Sequence, residues 1–405
     1  MRSRSVGSFA ALVPAILVPL LAVALVPAAT LASAASPGAD GQGWGGQQGP
    51  LTAKTILSGN SLTHTFTAAG TTIMSSEPLS DPDDITRLGS DIFVGFQNGV
   101  GPQGQASPSG NLDSTVVEMT SAGQAVGQWD IAGKADGVTA DPGAHLVIAT
   151  VNEDANSSLY TITPGPGGGV VQHYAYSEPL PHNGGTDAIS IWDGRILISA
   201  SAPGTTGTLS APQPTFPAVY SVTLDPSDSI ATVTPLFYDE DPAVVANVWT
   251  SQWWQTVKLA LTDPDSNEVV PWGAPRFAGD FMLTSQGDMQ QIFVSPGDHK
   301  LLVLNLTQSV DDTAWPDGGH GTLFATDSTY DTVDAITGDL PDGPVVAATP
   351  CGADSAPATC PAPPKYPANY LAALNAWTGQ VTALAVGGVP FVPQGGLLFV
   401  GDRDW

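Results

Sequence analysis

The sequence predicts an all-β fold: a single β-propeller of six or seven blades, seven favoured, closed by its N- and C-terminal strands in one blade. Three observations predict it. A motif recurs with a period near 50 residues, about the size of a four-stranded blade. Short apolar runs alternate with turn residues to the end of the chain, which holds 45 Gly and 36 Pro in 405 residues. Helical periodicity is almost absent. "NYLAALNAW" (Asn369 to Trp377) is the best helix candidate, and it reads equally as a strand and a turn.

The elements follow in chain order. Residues 1–34 read as a secretory signal peptide. Arg2 and Arg4 precede a long apolar run broken by Pro14, Pro19 and Pro27, and Ala32, Ser33 and Ala34 form a small-residue cleavage signal. The expected localisation is therefore extracellular, by free secretion, as a monomer, with no membrane attachment after cleavage. Residues 35–53 read as a Gly/Gln-rich linker, and residues 54–405 as the propeller domain.

Charge narrows the function. The net charge is −27, and loss of Arg2 and Arg4 with the signal takes it to −29. A surface this acidic repels nucleic acid and attracts cations. Cys351 and Cys360 are the two cysteines, and in an oxidising compartment they are expected to form a disulfide across a Pro/Ala loop.

The repeat is clearest in "DDITRLGSDIFVGFQNG", "ADGVTADPGAHLVIATVNEDANSSLYTI" and "TDAISIWDGRILISASAPG". Counted from Asp84, Asp136 and Asp187, the spacings are 52 and 51 residues. Outer strands follow each unit, as in "STVVEMT" and "AVYSVTL". Later units are less regular, and Pro212 to Pro275 reads as an irregular insert. The first strands, "TILSGN" and "LTHTFTA", have no inner strand before them. The last, "GGLLFVGD", has no outer strand after it. One closing blade built from both ends removes the free sheet edges.

These units resemble the repeats of secreted NHL-like and gluconolactonase-like β-propellers, which carry an Asp-Gly-apolar motif, a short turn and an apolar inner strand. The resemblance implies a fold for most of residues 54–405. It also implies an alternative function: a metal-dependent lactonase, hydrolase or lyase with a divalent cation near the axis. The Glu such enzymes carry early in the chain is replaced here by "DPDDI", with Asp83 and Asp84.

Four sets of residues can carry chemistry. Asp84, Asp136 and Asp187 are candidate oxygen ligands for Ca²⁺, or else cap their own turns. Asn152 joins them from "VNEDANSS", which otherwise reads as a hairpin loop. "TDPDSNE" (Thr262 to Glu268) and "TDSTYDT" (Thr326 to Thr332) read as loops of the same kind. His182, with Asn183 beside it in "PHNGG", and His320 in "DGGHG" are Gly-flanked catalytic candidates just before strands. Trp249, Trp253 and Trp254 offer an aromatic ligand surface, or else pack between blades. No G-x-S-x-G, phosphate loop or H-E-x-x-H is present. The expectation is a binding or scaffolding propeller whose partner is an extracellular small molecule, carbohydrate or protein.

Overall fold

The computed structural model describes residues 50–181, 184–203, 216–316, 320–349 and 369–402. The regular structure of the described residues is almost entirely strand, arranged as propeller-like sheets around a common axis, with one short 3-10 turn at Gly59–Ser61.

The chain opens with β1 (Leu51–Ser58), then a small hairpin of β2 (Thr63–Thr67) and β3 (Met74–Pro78). The first four-stranded unit is β4 (Pro82–Leu88), β5 (Asp91–Phe96), β6 (Asp113–Thr120) and β7 (Ala125–Ala132). The second is β8 (Ala135–Asp141), β9 (Leu146–Val151), β10 (Ser158–Thr163) and β11 (Val170–Tyr176). The third is β12 (Thr186–Trp192), β13 (Arg195–Ala200), β14 (Pro217–Asp225) and β15 (Ile230–Tyr238). β11 and β15 pair in parallel through Ala175↔Ile230 and Tyr176↔Ala231, which merges the second and third units into one eight-stranded sheet.

The stretch read as an irregular insert holds β14, β15, β16 (Pro242–Val245), β17 (Thr256–Lys258) and β18 (Pro264–Val269). β18 pairs with β19 (Phe281–Ser285), followed by β20 (Gln290–Val294) and β21 (Leu301–Asn305), while β16 and β17 extend that sheet outward. "TDPDSNE" is therefore largely strand, where the sequence suggests a loop.

The end of the chain is interleaved. β22 (Val310–Ala314) starts a sheet that β25 (Val345–Ala348), β26 (Tyr370–Asn375) and β27 (Gln380–Ala383) complete. Between them, β23 (Gly321–Asp327) and β24 (Thr332–Thr337) join a different sheet, in the order β28 (Val386–Gly388), β1, β24, β23, β29 (Leu397–Gly401). The N- and C-terminal strands β1 and β29 thus share one sheet. The expected closing partner "LTHTFTA" does not join it, because β2 pairs only with β3. "NYLAALNAW" is strand β26 running into a turn.

The sequence pattern explains which strand goes where. Second strands such as β5 (DIFVGF), β9 (LVIATV) and β19 (FMLTS) are covered on both faces, and their apolar runs are nearly unbroken. Outer strands alternate instead: β7 (AVGQWDIA) buries Trp129 and Ile131 and exposes the residues between. Six first strands pack in a closed ring: β4 on β8, β8 on β12, β12 on β18, β18 on β22, β22 on β29 and β29 on β4. Each junction holds its own apolar cluster. Trp192, Leu197 and Phe237 meet Phe281, Ile292 and Val303, for example, and Leu57, Phe324 and Val400 meet Ile92, Phe96 and Met119.

Candidate functional site

Five of the six ring strands begin in the same way. The pairing of β4, β8, β12, β18 and β22 with their second strands slips between Pro82 and Ile85, Ala135 and Val138, Thr186 and Ile189, Pro264 and Asn267, and Val310 and Thr313. Each slip is a bulge of two residues, and the first of the two is always aspartate: Asp83, Asp136, Asp187, Asp265 and Asp311. A bulge re-aims the side chain it carries. All five aspartates line one axial cavity of about 610 Å³.

The sixth ring strand brings no carboxylate. Its approach, Gly395–Gly396, lies against the first unit, and a Cβ on either glycine would collide with Asp83 or Ile85. The glycine backbone donates instead: Gly395 N–H to Asp311 Oδ2 at 2.9 Å and Gly396 N–H to the Asp83 carbonyl at 2.9 Å.

Where the second bulge residue is also aspartate, it does a different job. Asp84 accepts Ile85 N–H at 2.7 Å and, across the junction, Val138 N–H at 2.6 Å. Asp312 accepts Leu397 N–H of the next unit at 2.6 Å. The repeat is thus offset by one residue from the sequence alignment: Asp83, not Asp84, is the equivalent of Asp136 and Asp187. Asp84 lines the cavity but is tied to backbone.

Loops complete the wall. Asn152, at φ 69, accepts Lys134 N–H on Oδ1 at 2.9 Å and donates Nδ2 to the Asn156 carbonyl at 3.0 Å. Its amide is used in shaping the β9–β10 loop, and it does not line the cavity. That loop places Glu153 and Asp154 on the wall. Gly185 donates its N–H to the Glu153 carbonyl at 2.6 Å, and a Cβ there would strike the Asn152 carbonyl. This close backbone approach accounts for the second glycine of "PHNGG". With Asp263, the described wall carries ten carboxyl groups and one ammonium, Lys134. Lys134 Nζ lies 3.0 Å from Asp136 and 2.7 Å from Glu153. Gln97 Nε2 donates to Asp83 at 2.7 Å and to Asp136 at 3.1 Å.

Electrostatics follow from crowding. Burial pushes Asp83 up to about 7; Lys134 opposes this, and Asp311, Glu153 and Asp312 add to it. Asp312 is also pushed up to about 7, chiefly by burial. Burial, then neighbouring acids, raises Asp187 and Asp265 well above the usual carboxylate range. For Asp136, burial and the neighbouring acids outweigh Lys134, and its carboxyl also rises. Burial raises Asp311 too, against the Gly395 N–H and Asp265, which lower it. Burial works against the Lys134 ammonium, but Asp136, Glu153 and Asp83 outweigh it and hold it protonated above the usual lysine range. Deeper on β18, Glu268 is raised by burial and by Asp312 and Asp84.

Among the described residues of the wall, two buried polar side chains stay unsatisfied. Asn267 is 7% exposed and neither its Oδ1 nor its Nδ2 has a hydrogen-bond partner. Asp136 is also 7% exposed, and its Oδ2 has none. Such groups cost about 1–3 kcal/mol each when left unpaired.

The remaining candidates lie elsewhere. His182, Asn183, Cys351 and Cys360 fall outside the described residues. His320 is exposed, and it precedes β23, a second strand rather than an inner one. β23 reaches the cavity at its other end, where Ser328 lines the wall, so His320 is set back by the whole strand. Trp249, Trp253 and Trp254 sit on the β16–β17 loop, 85%, 43% and 61% exposed, and none lines the cavity. Trp254 carries Lys300 Nζ at 5.1 Å from its ring centroid. Asp265, Asp311, Lys134 and Asn267 are among the wall residues that sequence reasoning missed.

No family model matches the chain, and no curated protein matches it. Solved structures are similar at low level. A protein of unknown function from Bacteroides thetaiotaomicron is 9% identical over 87% of this chain and 73% of its own, with TM-score 0.40. A Lactobacillus plantarum protein is 10% identical over 87% of this chain and 99% of its own, with TM-score 0.40. Hydrazine synthase of Kuenenia stuttgartiensis is 13% identical over 76% of this chain and 68% of its own, with TM-score 0.37. Similarity at this level carries no functional inference, and the propeller-like arrangement rests on the sheets themselves.

Proposed function

We propose that this protein is a binding propeller that takes a cationic ligand in its axial cavity. One observation carries the reading: the same bulged aspartate recurs on five ring strands and points all five carboxyls at one space. Carboxyls crowded in a partly desolvated cavity repel one another, and a bound positive charge relieves that repulsion. We count six blades, one for each ring strand, with the merged sheet holding two of them. We further propose export after cleavage behind Ala34, and a Cys351–Cys360 disulfide. A mass spectrum of the exported form would show both, as a chain starting at Ala35 and lighter by two hydrogens.

The binding test is a thermal melt at low salt with CaCl₂, MgCl₂ and organic ammonium salts, against sodium acetate as an anion control. A cation is expected to raise the midpoint, and the double variant Asp187→Asn/Asp311→Asn to lose that response. A midpoint that no cation moves removes the reading.

A further inference from the structure

We propose that the ligand of the axial cavity is an organic polyamine, a flexible chain with two or more primary ammonium groups. This rests on the cation-binding reading and names the chemical class within it.

Four observations point the same way. First, the carboxyls are spread around the wall, one per ring strand. Among the described residues, no three His, Cys, Asp or Glu side chains gather closely enough to hold a metal ion. A bare Ca²⁺ needs six to eight oxygens at about 2.3–2.6 Å. A polyamine brings its charges already separated, each with three N–H donors. Second, a cavity of about 610 Å³ is the size of an organic ligand site rather than an ion site.

Third, the protein already holds one ammonium in this manner. Lys134 bridges two carboxyls, Asp136 and Glu153, at 3.0 and 2.7 Å. A second and third ammonium meet the same chemistry at Asp187, Asp265 and Asp311, further round the ring. Fourth, two of the three unpartnered atoms on the described wall suit such a guest. Asp136 Oδ2 and Asn267 Oδ1 are buried acceptors on the wall with nothing to accept from. No aromatic ring among the described residues lines the cavity, so it lacks the cage that quaternary ammonium ligands use.

Binding is coupled to protons. Burial holds Asp265 well above the usual carboxylate range and pushes Asp83 and Asp312 up to about 7. An entering ammonium favours the ionised carboxylates, so those protons leave to solvent. Affinity therefore rises as pH increases through 7.

The test is calorimetry on the intact protein at low salt and pH 7.5. The probes are spermidine, 1,4-diaminobutane, butylamine, choline and CaCl₂, each titrated in two buffers of different ionisation enthalpy. Spermidine is expected to bind one per chain, at least about tenfold tighter than butylamine or choline, with proton release. Asn267→Leu and Asp136→Asn should each weaken it about tenfold while the unliganded variants still melt cooperatively. Should Asp136→Asn not fold, Glu153→Gln on the loop gives the same comparison. Calcium that binds and is not displaced by spermidine overturns the polyamine assignment and leaves the cation site standing. Failure of every probe to bind overturns both.

Discussion

At the residue scale, the site is a set of aspartates whose burial is tolerated because it is shared. Asp136 and Asp187 were legible from the repeat. Asp83 was missed by one place, because "DD" offers two aspartates and only the bulge decides which faces the axis. Asp265 and Asp311 were hidden by spacing. They lie 78 and then 46 residues on, away from the 51–52 residue period of the clear units. The pH dependence follows from sign. Asp83 and Asp312 stand near 7 in the fold against 3.8 as free side chains. Their protonated forms stabilise the fold, fully so below about pH 4, and that contribution is lost as pH rises through 7. The unliganded protein is expected to melt lower at pH 8 than at pH 5, and a bound polyamine to recover most of the difference. A midpoint that climbs with pH over this range contradicts the crowding. Gly185→Ala tests the loop. A methyl against the Asn152 carbonyl should displace Glu153, lower the midpoint and weaken cation binding together.

At the scale of elements, hydroxyls join successive units. Thr150 Oγ1 on β9 accepts Gly137 N–H at 3.0 Å and donates to the Asp187 carbonyl at 3.1 Å. Ser199 Oγ on β13 repeats this with Ala188 N–H at 3.0 Å and the Asp265 carbonyl at 2.9 Å. Each staple holds the bulge of one unit and the aspartate backbone of the next. Ser199 is fully buried. Ser199→Ala leaves a buried carbonyl and N–H without that partner, and is expected to cost about 1–3 kcal/mol in denaturant unfolding. An unchanged unfolding free energy would show that the staple is replaced by other bonds. The same elements explain what sequence reasoning lost. β18 (PDSNEV) and β22 (VDDTA) are ring strands, yet their Pro, Asp, Ser and Asn are turn-formers by propensity. They are strands because neighbours on both sides supply the pairing and packing, and they are polar because one face lines an acidic cavity. Covered second strands, with nearly unbroken apolar runs, were legible at once.

At the scale of the whole molecule, closure is the unifying feature. β1 and β29 lie in one sheet, with β23 and β24 between them. Closure by both ends was legible from the unpaired first and last strands. The excursion from β22 into β23–β24 and back to β25 was not, because it is set by which neighbour pairs and leaves no mark in periodicity. Removing residues 51–58 takes away the strand between β24 and β28 and uncovers the Leu57 side of the junction with the first unit. The expected outcome is loss of a single cooperative melt and of cation binding. Trp254→Ala, outside the cavity, should leave both intact.

The most direct measurement is a crystal structure of the protein grown with spermidine. The account predicts density for the amine inside the axial cavity, with ammonium groups within hydrogen-bond distance of Asp136 Oδ2, Asn267 Oδ1 and at least one of Asp187, Asp265 and Asp311. A cavity filled only by water, with the amine absent or bound on the outer surface, would contradict it.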